Sequence, residues 1–160
     1  MKSTVNSGVH ADVDAAAGQV VVSVELAPTP ERVFRAISSK DITRWWVRPG
    51  VFDTREWSGD LRVGGRWQSS GTMRGQPYTL EGRFVEIDAP KTLVHTWERG
   101  GTPASSSTVS YSLEPLDDGT RLTVRHSGIE SPEVCSRFAA GWETSLERLV
   151  EILAAEPLKS

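Results

Sequence analysis

A single cysteine, Cys135, stands in 160 residues. One thiol excludes an intramolecular disulfide and any zinc site built on several thiolates. No apolar run approaches the ~18 residues that a membrane-spanning helix requires. Residues 1–17 hold no apolar stretch of the roughly 7–15 residues found in a secretory signal. Positive charge is not in excess either: Lys+Arg 18 against Asp+Glu 21 gives a net charge of −3. There is thus no basic footprint for a phosphate backbone, and nucleic acid is not an expected partner. Motifs that carry chemistry are missing as well, with no GxSxG, no HExxH, no CxxC and no phosphate-binding GxxxxGK. The glycines of Gly59-Asp60-Leu61-Arg62-Val63-Gly64-Gly65 lack dinucleotide spacing, and no helix follows them, so they read as a turn. Without a membrane or secretory signal, the expected location is the cytoplasm.

What is present is a globular composition, 38% hydrophobic with 14 glycines besides, and six tryptophans. The small and polar residues 1–17 read as a flexible tail, and residues 18–156 as one domain. From 19 to 26 the chain alternates, with Val20, Val22, Val24 and Leu26 on one face, as a half-buried strand does. Thr29 then stands as an N-cap, Pro30 at the first helical position and Glu31 in the first turn, predicting a short helix over 30–38. Residues 41–46 read as a second helical turn stopped by Pro49-Gly50. From there to residue 128 the period is two. Strands are predicted at 52–57, 66–73, 77–88, 91–98, 107–115 and 119–127, separated by turn residues that include the loop Gly100–Ser107. Ser131 and Pro132 open a final helix of about 22 residues, whose stripe is Val134, Phe138, Trp142, Leu146, Leu149 and Leu153.

The order predicts an α+β fold: a curved antiparallel sheet of about six to seven strands gripping a long C-terminal helix, with two short helices after the first strand. A curved sheet closed by one helix leaves space between them, where small-molecule sites form. Strand parity names the residues facing that space: Leu93, His95 and Trp97; Val109, Tyr111 and Leu113; Leu122, Val124 and His126; Trp67, Ser69 and Met73; Tyr78, Leu80 and Phe84. Glu86 would follow Phe84 inward, which implies a bulge near residue 85. His95 and His126 fall two strands apart, about 9–10 Å by strand spacing, too far to share one metal. No metal site and no cofactor are expected. Cys135, three residues before Phe138, reads as partly buried. Tryptophan and tyrosine carry a polar atom that needs a partner when buried, so a core built for stability alone prefers Leu and Val. The candidate ligand-binding set is Trp46, Trp67, His95, Trp97, Tyr111, His126, Phe138 and Trp142. No residue is assigned a catalytic role. Gly141, in the middle of the helix, suggests close approach of a strand or a ligand to its backbone.

Five stretches, TPERVFRAIS, TRWWVRPG, GDLRVGGRW, YTLEGRFVEIDAPKTLVHTWE and GWETSLERLVEIL, resemble the C-terminal-domain family of the activator of heat-shock-protein-90 ATPase, within the SRPBCC (START-like, helix-grip) superfamily. The resemblance runs from about Val20 to Leu153 and implies the helix-grip fold. Three functions remain open. The first is binding of a small apolar or aromatic molecule between sheet and helix. The second is a co-chaperone-type role with a heat-shock chaperone as partner, through Arg44, Trp45, Trp46 and Arg48. The third is a cyclase- or hydrolase-like enzyme using His95, His126 or Tyr111 as acid or base, although the missing motifs lean against an enzyme. Oligomeric state stays open between monomer and homodimer.

Overall fold

A computed structural model describes residues 8–99 and 106–156. Among these, nine strands form one antiparallel sheet: β1 (His10–Asp14), β2 (Gln19–Leu26), β3 (Val47–Arg48), β4 (Phe52–Gly59), β5 (Arg66–Met73), β6 (Gln76–Asp88), β7 (Thr92–Arg99), β8 (Ser106–Leu116) and β9 (Gly119–Ser127). Their order across the sheet is β1-β2-β9-β8-β7-β6-β5-β4-β3. Helices α1 (Pro30–Ile37) and α2 (Ile42–Trp45) connect β2 to β3, and α3 (Pro132–Ala154) ends the fold. Helix α3 packs against β1 and β2 at one end of the sheet and against β3 at the other, so the sheet curls around it.

The sheet therefore exceeds the six or seven strands expected, and the short helices follow the second strand rather than the first. Strand β1 lies inside residues 8–17, which the sequence suggested were tail. Its side chains are mostly exposed, so no buried alternation marks it; pairing with β2 makes it a strand. The turn behind it depends on Gly18, at φ +66, where a side chain's Cβ would stand 2.4 Å from Ile129 O. Strand β3 has only two residues and exists through its pairing with Asp53 and Phe52. The remainder of the predicted tail, residues 1–7, and most of the loop 100–107 lie outside the described residues.

Local chemistry sets the other boundaries. Thr29 Oγ1 accepts from Arg32 N–H at 3.4 Å and Ser131 Oγ from Val134 N–H at 3.2 Å, each followed by a proline with no N–H to satisfy. The register of β6 on β7 shifts between Phe84 and Glu86, turning Val85 out to solvent and keeping Glu86 off the core. The concave face is carried by Val20, Val22, Leu93, Val109, Leu122 and Val124, and α3 covers it with Leu146, Leu149 and Leu153. Cys135 is wholly buried rather than partly so.

The last turn of α3 is pinned from outside. Arg32 donates to both Glu156 carboxylate oxygens, at 2.9 and 2.6 Å, and to Asp41 at 2.9 Å, tying α1 and the entry of α2 to the helix end. The Glu156 carboxyl is held below its ordinary range chiefly by that Arg32 bond.

Candidate functional site

Five of the six tryptophans converge beneath the N-terminal half of α3. Trp46, delivered by the end of α2, is their hub: its ring centroid lies 6.1 Å from Trp45, 5.9 Å from Trp67, 5.3 Å from Trp97 and 6.3 Å from Trp142. Mixed edge-on and tilted geometry is what aromatic quadrupoles favour. Beside them His126 stacks on Phe138, centroids 4.4 Å apart at 12°.

A cavity of about 230 Å³ opens between this cluster and the β3–β6 end of the sheet. Of the eight candidate ligand-binding residues, Trp46, Trp97, Phe138 and Trp142 line it. Trp67, His95, Tyr111 and His126 do not; they form the packed layer that supports the lining rings, with Trp67 against Trp46 and His126 under Phe138. Strand parity placed Trp67, His95, Trp97, Tyr111 and His126 on the concave face but could not tell cavity wall from solid core.

Polar contacts fix three members of the supporting layer, Trp67, His95 and His126. Trp67 Nε1 donates to Thr96 O at 3.1 Å, across Gly82, where any Cβ would meet Thr96 O at 2.1 Å and Trp67 Nε1 at 2.7 Å. His95 Nδ1 lies 2.9 Å from Thr96 O, which can only accept, so the proton sits on Nδ1. Trp142 Nε1 donates to His126 Nδ1 at 3.1 Å, leaving the His126 proton on Nε2, which donates to Ser107 Oγ at 2.7 Å. Burial lowers both histidines, His95 to about 4 and His126 to about 3, with His95 adding a smaller charge effect on His126. Burial also pushes the Tyr111 hydroxyl up. The register sets both histidines opposite Val109 on neighbouring strands. They are neutral at pH 7, and neither touches the cavity. His126, already donating to Ser107, cannot accept the Ser107 proton at Nε2, so this pair is not a nucleophile and its base.

Several lining residues were missed in the sequence. Phe52 and Thr54 come from β4, and Tyr78 bonds Thr54 at 2.8 Å. Met73, read as inward, is exposed and sits at the cavity rim. Arg48, Arg74 and Arg137 come from β3, the β5–β6 turn and α3. One cue was available for α3: Gly141 lies one turn after Arg137, and its missing side chain leaves room to Phe52, whose Cε1 would be 3.6 Å from an added Cβ. Gly141 thus faces a lining ring and the cavity, not a tightly packed strand. Trp45 and Trp46 are both buried, so neither ring is available to an outer partner surface.

A larger recess of about 580 Å³ lies over β4–β6 beside α2, lined largely by polar and charged side chains such as Lys40, Arg55, Glu56 and Glu81, with Trp57 the one aromatic ring among the described residues that line it. An aromatic wall under the terminal helix distinguishes the smaller cavity from it. Among the described residues, no helix is long and apolar enough to cross a membrane.

Comparison with known proteins agrees with this fold. A protein from Rhodobacter sphaeroides is 22% identical, with a TM-score of 0.78 over 93% of this chain and 99% of that one. A protein from Arthrobacter aurescens is 23% identical, with a TM-score of 0.78 over 95% and 94%. An AHSA1 protein from Silicibacter pomeroyi is 27% identical, with a TM-score of 0.71 over 87% and 99%. No curated protein sequence matches. The family described as Activator of Hsp90 ATPase homolog 1-like protein matches residues 27–154. With the helix-grip fold of the SRPBCC superfamily, this chain belongs to the Activator of Hsp90 ATPase homolog 1-like protein family.

Proposed function

We propose that the protein binds a small apolar or aromatic molecule in the cavity between the sheet and α3. The observation that carries the reading is the wall itself: Trp46, Trp97, Phe138 and Trp142 surround an opening that a core built only for stability would have filled. Pockets for drug-sized ligands run to about 300–1,000 Å³, whereas an apolar cavity of about 150 Å³ holds benzene. At about 230 Å³ the space suits a body of one or two rings. The inward layer of buried, neutral histidines supports a binding role over acid–base catalysis, since neither histidine contacts the cavity. The co-chaperone reading rests on family membership, and two of its candidate contact residues, Trp45 and Trp46, are only 1% and 4% exposed.

Native mass spectrometry of the purified protein, set against its denatured mass, tests the proposal together with titration of the neutral bicyclic probe 2-naphthol. A retained small molecule, or saturable one-to-one quenching of tryptophan fluorescence by the probe, is the expected result. A bare mass with no saturable quenching would overturn the reading.

A further inference from the structure

The apolar wall leaves the charge of the cavity unexplained. Arg48, Arg74 and Arg137 line it, whereas among the described residues no aspartate, glutamate or histidine does. None of the three is ion-paired with a carboxylate among the described residues, although nine arginine–carboxylate pairs occur elsewhere in the fold. They come from a strand, a turn and a helix far apart in sequence, so only the fold brings them together. Arg48 is half-buried, and Arg74 and Arg137 are exposed, which places the positive charge at the mouth and the rings within. This positive mouth belongs to a chain of net charge −3.

Arg74 adds an independent observation. It is the one non-glycine residue at positive φ among those described, at +51°, in the two-residue turn Arg74-Gly75 between β5 and β6. Such a turn favours Asn-Gly, because asparagine tolerates the left-handed region that costs other side chains on the order of 1 kcal/mol. The turn is held at the mouth by Arg74 N–H donating to Val51 O at 2.7 Å. An arginine at a strained position beside a cavity is the pattern of a ligand clamp.

We infer that the cavity takes an amphipathic organic anion, with its ring body among Trp46, Trp97, Phe138 and Trp142 and its oxyanion head met by Arg48, Arg74 and Arg137. This inference rests on the cavity reading above and gives it a ligand class. The planar guanidinium fork matches an oxyanion such as a carboxylate. An exposed pair contributes a factor of roughly 1.5 to 5 in affinity, so three at one mouth give about tenfold.

Three probes sharing one ring system decide it: 2-naphthoate, 2-naphthamide and 2-naphthylmethylammonium, each titrated by tryptophan fluorescence at low salt and in 1 M NaCl. Naphthoate is expected to bind about tenfold more tightly than the amide and the ammonium weakest, with the spread closing in 1 M salt, where the screening length falls to about 3 Å. In the Arg74→Asn, Arg137→Gln double variant the naphthoate-to-naphthamide ratio is expected to collapse toward one. If the amide equals naphthoate in the wild type, or the ammonium binds best, the inference is overturned while the cavity reading stands. If no probe binds saturably, the cavity reading falls and this inference with it. The wild-type ranking decides without recourse to any variant.

Discussion

Trp142 Nε1 donates to His126 Nδ1 at 3.1 Å, and this bond joins the cavity wall to the layer behind it. One atom of a lining ring thereby sets the tautomer of a histidine that the cavity never touches.

Replacing Trp142 by Phe keeps a large ring and removes the donor. His126 Nδ1 then lacks a partner at a residue with no solvent exposure. Stability is expected to fall by about 1–3 kcal/mol, the cost of an orphaned buried polar atom, read by urea denaturation. Imidazole ¹⁵N shifts should show the Nε2-protonated form in the wild type and a mixture in Trp142→Phe. A wild-type His126 protonated at Nδ1 would contradict the assignment.

Acid should weaken the fold before the carboxylates titrate. His95 and His126 have folded pKa values near 4 and 3, below the 6.5 of an unfolded histidine. Between those limits the unfolded chain binds more protons, so stability is present above pH 6.5 and is lost as pH falls toward about 4. The slope is about 1.4 kcal/mol per pH unit for each histidine. Urea midpoints across pH 7 to 4.5 measure it, and His95→Gln should flatten the slope. Midpoints independent of pH over that range would refute the prediction.

Two glycines should respond with opposite sign. Gly141→Ala adds a Cβ in ordinary contact with Phe52 and removes a helix-interior glycine, so stability is expected to rise by about 1 kcal/mol while affinity for 2-naphthol falls. Gly82→Ala forces a Cβ against Thr96 O and the Trp67 indole, with an expected loss of about 3 kcal/mol or more. Thermal melts and probe titration of both variants check the pair. Equal effects of the two substitutions would count against the close approach at Gly82.

Glu156→Ala removes the carboxylate that receives Arg32 and Arg44. Asp41 still partners Arg32, so the expected cost is modest, about 1 kcal/mol, and smaller in high salt. Amide hydrogen exchange should quicken in the last turn of α3 while β8 and β9 stay protected. Uniform quickening throughout the sheet would mean that the network supports the whole fold.

Most of the fold was legible because its signals are local. The alternation from Val20 to Leu26 and the caps at Thr29 and Ser131 act within a few residues of themselves. The bulge near residue 85 was legible too, since an uninterrupted register would bury Glu86. Strands β1 and β3 were not, because an exposed five-residue strand and a two-residue strand carry no pattern of their own and form only by pairing with a neighbour.

The candidate site divides along the same line. Sequence alone determined that aromatic and histidine side chains share the concave face beneath a terminal helix, because parity along a strand and spacing along a helix are properties of adjacent residues. Only the tertiary structure decided that Trp46, Trp97, Phe138 and Trp142 border open space while Trp67, His95, Tyr111 and His126 are packed behind them. The meeting of Arg48, Arg74 and Arg137 at one mouth was likewise decided there. A void and a convergence of distant charges are set by how elements pack in three dimensions, and no local pattern in the chain encodes the distances between them.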